Sequence, residues 1–225
     1  MNKTRYAIIG SGSMGMEHIR NIALIENAEV TALCDSSRTS IASSLEALKK
    51  NVPTFKNHIN LMEADIADAY IIATPNFTHI DILKDIIKTN AHLLIEKPLC
   101  TTVDDCIEFK KITINYPGVI WTAMEYRYMP PVARFIEEVH KGTIGNLKML
   151  SIREHRFPFL AKVNDWNRFA KNSGGTLVEK CCHFFDLMRL ITKSEPVRVF
   201  ASGNQDNNHL NESYDGKIPD IIDNA

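Results

Sequence analysis

The chain is short of every feature that marks a protein built for a polyanion or a membrane. Its 26 basic and 27 acidic side chains leave a formal net charge of −1. That balance gives no electrostatic case for nucleic acid or an anionic bilayer. No apolar run approaches the ~20 residues of a membrane span. No leader pattern precedes the first strand-like run, so a cytoplasmic setting is expected. Cysteine is scarce: Cys34, Cys100, Cys106, Cys181 and Cys182 are odd in number and show no paired spacing. They read as reduced thiols, not as a disulfide framework. Cys181-Cys182-His183 makes a poor metal site, because adjacent cysteines rarely chelate one ion and no second ligand cluster accompanies them. No metal is expected. Asn76-Phe77-Thr78 has the glycosylation spacing, which carries no weight without a secretory leader. Repeats and low-complexity segments are absent.

What remains is ordinary globular material. The 225 residues are 44% hydrophobic and 24% charged, enough for one large or two modest domains.

The most informative stretch lies near the start. Arg5-Tyr6-Ala7-Ile8-Ile9 reads as a buried strand, and Gly10-Ser11-Gly12-Ser13-Met14-Gly15 follows without a gap. A helical pattern begins around Met16. G-x-G-x-x-G between a strand and a helix is a dinucleotide fingerprint. Gly10 permits the tight turn, Gly12 lets backbone approach a pyrophosphate, and Gly15 lets helix pack on strand. The helix-start N–H groups, those of Ser13 and Met14 among them, then face an anion. A second run, Glu29 to Cys34, ends in Asp35, 20 residues after Gly15. A Rossmann unit places its ribose-binding acid there. The bland alternative is that Asp35 caps the next helix, a task open to Ser36 or Ser37 as well. A carboxylate at this point favours NAD over NADP. Arg38, three residues on, keeps NADP in view.

The first half alternates short apolar strands with amphipathic helices. Strands are expected at Val52–Phe55, Ala69–Ala73, His92–Ile95 and Val119–Ala123. Helices are expected at Thr39–Lys50, Asn60–Ala67, His79–Thr89 and Thr102–Asn115. This grammar predicts a doubly wound parallel sheet over residues 1–123. It changes near residue 124. Helices are expected at Pro130–Lys141 and Leu177–Thr192, with strands at Leu147–Phe157 and Pro196–Ser202. The strands suit an open, mostly antiparallel sheet with one wet face. Two strands are marginal alone. Residues 124–225 therefore read as a partial α+β substrate and oligomerisation domain, C-terminally truncated or completed by another chain.

Several motifs together resemble the Gfo/Idh/MocA oxidoreductases, the group of inositol dehydrogenase and glucose–fructose oxidoreductase. They are the glycine turn, Ala73-Thr74-Pro75-Asn76-Phe77-Thr78-His79, Glu96-Lys97-Pro98 and Arg127-Tyr128-Met129-Pro130. Gly174-Gly175-Thr176-Leu177-Val178-Glu179-Lys180-Cys181-Cys182-His183-Phe184-Phe185-Asp186 completes the set. The chain departs from the family pattern at Glu179, where aspartate is usual, and at Cys181, where glycine is usual. Both departures bear on the substrate more than on the reaction type.

Lys97 follows a parallel strand at the edge where open α/β sheets bind ligands. Spacing alone leaves it readable as a surface lysine. The resemblance implies a catalytic residue whose ammonium lowers the pKa of a substrate hydroxyl. His183 stands four residues after Glu179, on one face of the expected helix. Spacing alone reads this as an exposed ion pair. The resemblance implies that His183 is a general base and that Glu179 supports it. It also implies that Thr74, Pro75, Asn76, His79, Glu96 and Lys97 itself lie beside the cofactor. Asn76 or Thr78 could cap the helix there. Glu125, Arg127, Arg153, His155, Trp166 and Arg168 are implied substrate-side residues.

The expected activity is an NAD(P)-dependent dehydrogenation of a secondary hydroxyl on a sugar, cyclitol or related polyol. Self-association through the C-terminal sheet is expected, with no nucleic-acid or membrane partner. The rival readings are a non-catalytic NAD(P)-binding regulator, a glycosidase using tightly held NAD, and a non-functional fragment.

Overall fold

The structure is a computed structural model that describes residues 3–225. The chain divides into two compact units, Met1–Ala123 and Met124–Ala225.

The first unit runs β1 (Thr4–Ile9), α1 (Ser13–Ile22), β2 (Ala28–Cys34), α2 (Arg38–Leu48), β3 (Thr54–Phe55) and α3 (His58–Glu63). It continues through β4 (Ala69–Ile72), α4 (His79–Ile86), β5 (His92–Ile95), α5 (Val103–Ile112) and β6 (Ile120–Thr122). The strands form one sheet in the order β3-β2-β1-β4-β5-β6, and every pair is parallel. Parallel strands are buried on both faces, which explains their unbroken apolar runs. Ile8, Val30, Leu33 and Ile71 pack with Ile19 and Ile22 of α1 on one face. Ala7, Ile9, Tyr70, Ile72, Leu93 and Ile95 pack on the other with Leu61, Leu83, Ile86 and Phe109 from α3, α4 and α5. The strand order reverses between β1 and β4, which places the ligand crevice of such a sheet beyond their carboxyl ends.

The second unit begins with a 3-10 turn (Glu125–Tyr128) and α6 (Pro130–His140). A kinked 3-10 segment (Val163–Arg168), α7 (Ala170–Ser173), α8 (Gly175–Glu179) and α9 (Cys182–Thr192) follow. Two sequence expectations fail here. Leu147–Phe157 and Pro196–Ser202 are not strands. No other described segment pairs with either, and β-propensity without a ladder partner makes no sheet. Val197, Val199 and Phe200 lie exposed as a result. Among the described residues the second unit forms no sheet.

The helix expected over Leu177–Thr192 is also broken. The N–H groups of Lys180 and Cys181 both point to the Thr176 carbonyl, at 2.9 and 3.2 Å. The second bond spans five residues, a π-type widening between α8 and α9. Among the described residues no helix is long and apolar enough to cross a membrane.

Candidate active site

The first unit builds a cradle from the glycine turn. Gly10 sits at φ 93°, and a Cβ there would lie 2.5 Å from the Ala73 carbonyl carbon. A Cβ on Gly15 would lie 2.1 Å from the Gly10 carbonyl oxygen. Both positions exclude any side chain, which brings α1 and the β4 loop against the turn. A Cβ on Gly12 would meet nothing within 4 Å, so open space lies in front of it. Helix α1 starts at Ser13 with no side-chain cap. The backbone donors around Ser13 and Met14 are thus free of side-chain acceptors and suit an anion. These residues fit the pyrophosphate of a dinucleotide.

Asp35 closes β2 beside this turn. Its carboxylate accepts the Ser11 N–H at 2.7 Å and the Ser37 N–H at 2.8 Å. The helix cap is Ser37, whose hydroxyl accepts from Ser40 N at 3.2 Å. The carboxylate is held against the glycine turn and remains part-exposed. Arg38, the first residue of α2, is exposed.

The loops after β4 and β5 emerge at the same carboxyl edge. Glu96 is buried, with Oε1 2.7 Å from His18 Nε2 and Oε2 accepting the Lys97 N–H at 3.3 Å. His18, on α1, was missed by sequence reasoning; nothing local ties it to a residue so far along the chain. The Lys97–Pro98 peptide is cis. Thr78 donates its hydroxyl to the Pro75 carbonyl at 2.7 Å, and its Oγ1 also lies 2.7 Å from Thr74 Oγ1, which can donate to it. Thr78, the N-cap of the helix that follows, supplies no side-chain cap to it.

His79 has 0% exposure. Its Nδ1 lies 3.0 Å from the Pro98 carbonyl and its Nε2 3.1 Å from the Thr74 carbonyl. Burial pushes its pKa down against these carbonyls, which favour the cation. The ring has no exposed surface and braces the two loops.

The second unit gathers its chemistry around the first turn of α9. His183 is buried, and its Nε2 lies 3.4 Å from Glu125 Oε1. Its ring stacks on Tyr126, with centroids 4.1 Å apart and planes 6° from parallel. Arg127 donates Nε–H to Asp186 Oδ2 at 2.6 Å and also pairs through Nη2 with Oδ1. This ion pair raises the Arg127 pKa. The pair docks the 3-10 turn on α9.

The other four expected substrate-side residues lie as follows. Arg168 is buried and gives its Nε–H to Glu212 at 2.9 Å. Glu212 also accepts Tyr214 Oη–H at 2.8 Å and lies 2.8 Å from His209 Nδ1. These partners, His209 foremost, pull the Glu212 pKa down to about 2. The Arg168 charge is neutralised within the unit and is not left for a substrate. Arg153 and His155 lie exposed on the irregular segment before Val163. That segment is not the strand that would have aimed them. Trp166 sits in the kinked segment, where its carbonyl accepts from Asn172 Nδ2 at 3.1 Å. Among the described residues no group of three metal-ligating side chains forms.

Two family matches cover most of the chain. Residues 4–123 match an oxidoreductase family described as an NAD-binding Rossmann fold. Residues 136–225 match the same family's C-terminal alpha/beta domain. The chain belongs to the Gfo/Idh/MocA oxidoreductase family. Among its Gfo/Idh/MocA relatives is the rhizopine catabolism protein MocA of Rhizobium meliloti. It is 27% identical over 197 residues, covering 88% of this chain and 60% of the relative. Myo-inositol 2-dehydrogenase of Thermotoga maritima is 27% identical over 199 residues, 88% of this chain and 58% of the relative. The WlbA dehydrogenase of Bordetella pertussis, solved with NADH and UDP-GlcNAcA, superposes with a TM-score of 0.72. It shares 20% identity and covers 84% of this chain and 60% of that one; at that identity it shows the fold. The chain spans about 60% of the length of these relatives.

Proposed function

We propose that this chain supplies the cofactor site and proton-handling groups of a dehydrogenase that oxidises a secondary hydroxyl on a polyol, cyclitol or sugar. The observation that carries the reading is the uncapped start of α1 behind Gly12, with Asp35 and Lys97 at the same sheet edge. Glycines 10, 12 and 15, with the Ser13 and Met14 backbone, hold the pyrophosphate. Asp35 takes the adenosine ribose and repels a 2′-phosphate, which selects NAD; Arg38 stands ready on the adenine side. Thr74, Pro75, Asn76 and Glu96 line the nicotinamide half, and His79 fixes their loops.

Bound NAD supplies the hydride acceptor. The chain does the rest. Lys97 donates a hydrogen bond to the substrate hydroxyl oxygen and stabilises the developing alkoxide. His183 takes the hydroxyl proton, and Glu125 stabilises the imidazolium that forms. Glu179, a widened turn before His183, is the supporting carboxylate. Named relatives include myo-inositol 2-dehydrogenase, which directs the first substrate panel to inositols and then to sugars.

The test is calorimetric NADH binding together with NAD reduction on that panel. NADH should bind in preference to NADPH. Lys97→Ala should keep NADH binding and lose about 10²- to 10⁴-fold in kcat. Failure to bind NADH, or unchanged turnover in Lys97→Ala, would overturn the reading. Tight NAD binding with no turnover on any polyol would make the protein a nucleotide-binding regulator instead.

A further inference from the structure

Lys180 is a buried cation that the mechanism above does not use. Its side chain is 9% exposed. A buried ammonium is costly unless it is paired and hydrogen-bonded. Lys180 Nζ lies 3.2 Å from Glu154 Oε1 and donates a hydrogen bond to the Tyr126 phenol oxygen. Nζ is also 4.4 Å from the Tyr126 ring centroid. A donor seated at the phenol oxygen has to lie at about that range, so this is one interaction and not a separate cation–π contact.

The other side of the relation is the flat face of Tyr126, which lies on the His183 imidazole at 4.1 Å and 6°. Phe184 closes the group, its ring tilted 55° to Tyr126 with centroids 6.3 Å apart. One short turn, Glu125–Tyr128, thus supplies both the carboxylate at the imidazole edge and the ring on its face. An imidazole can accept a proton only along the in-plane lone pair of its nitrogen. Its plane therefore decides whether the base is aimed.

We propose that Tyr126 and Lys180 are positioning residues for His183: the Tyr126 ring fixes the imidazole plane, and the Lys180 ammonium pins Tyr126 through its phenol oxygen. This rests on the reading of His183 as the general base.

Two measurements test it. The first is the proton resonance of the His183 Cε1–H in the purified protein. A ring stacked on its face should shift it upfield in the wild type and in Tyr126→Phe, and Tyr126→Leu should release it. The second is steady-state kinetics on an accepted polyol. Tyr126→Leu should lower kcat by about 10- to 100-fold, the scale of a misplaced catalytic group, with KM and NADH affinity little changed. Tyr126→Phe keeps the ring and should recover most of that loss. Lys180→Met should show a small kcat loss that adds nothing in the Tyr126→Phe background, because both remove the same hydrogen bond.

An unshifted His183 resonance in the wild type would overturn the proposal. So would wild-type kcat in a Tyr126→Leu protein whose resonance has moved. If the wild type turns over no polyol, the dehydrogenase reading fails on its own account. The resonance, with a thermal melt to establish that Tyr126→Leu is folded, then decides the stack independently.

Discussion

His92–Ile95 and Pro196–Ser202 are both short runs rich in strand-forming residues, and they meet opposite fates. The first lies between β4 and β6, with Ile95 wholly buried. In the second, Val197 is 102% exposed, and no ladder forms. Residue type is similar in the two; what differs is the presence of neighbours on both edges and both faces. Strand propensity measures fit to a half-built surface and cannot create that surface. The two units differ in the same way. The first closes its own core, while the second relies on ion pairs and backbone-seeking carboxylates around a few short helices.

The sharpest way to break this comparison is to damage one side chain in each unit. Leu83→Ala, at a site with no exposure, should lower stability by about 2–5 kcal/mol through lost transfer energy and a cavity. Denaturant unfolding followed by fluorescence measures it. Gly10→Ala should cost about 1–3 kcal/mol, because it forces a Cβ into a left-handed position, and it should also weaken NADH binding. A calorimetric titration reads the second effect.

The second unit's polar devices should reveal themselves in acid. Asp223 accepts the N–H groups of Asp206, Asn207 and Asn208 at 3.0, 2.7 and 2.6 Å. These backbone bonds, that of Asn208 first, lower its pKa to about 2. Glu212 sits at about 2 for its own reasons. Both folded values lie below the roughly 3.9 and 4.3 of free Asp and Glu. Their stabilisation is therefore complete above about pH 4 and is lost as pH falls through about 2. The Asn207 and Asn208 amide resonances should titrate with that low midpoint; a midpoint near 4 would count against the arrangement. The smallest effect belongs to Val199→Ala, which should stay within about 0.5 kcal/mol of wild type. A larger loss would mean that this segment is packed after all, and the contrast between the units would collapse.

Much of the first unit could be read from the residues. Continuous apolar runs, separated by helices of about two to three turns, permit few arrangements other than a parallel sheet. The glycine turn announced its own geometry, since only glycine tolerates the contacts at positions 10 and 15. The role of His79 was not legible. A histidine beside a loop looks the same whether it faces a ribose or two backbone carbonyls, and only packing distinguishes them. The break between α8 and α9 was not legible for a related reason: helical spacing assumes a regular helix, and the five-residue bond to the Thr176 carbonyl interrupts it. Arg168 looked available because a guanidinium in a sequence carries no sign of its partner.

By itself the sequence determined local matters: where strands and helices alternate, which turn must be glycine, which acid ends the second strand, and which family's motifs appear in order. Those depend on side-chain periodicity and steric limits within a few residues. The tertiary structure alone decided which charges are already neutralised, which histidine is braced and which is stacked, and which strand-like runs find partners. Those depend on contacts between residues up to 78 positions apart, such as His18 with Glu96. Chain closure, and not local preference, brings such groups together.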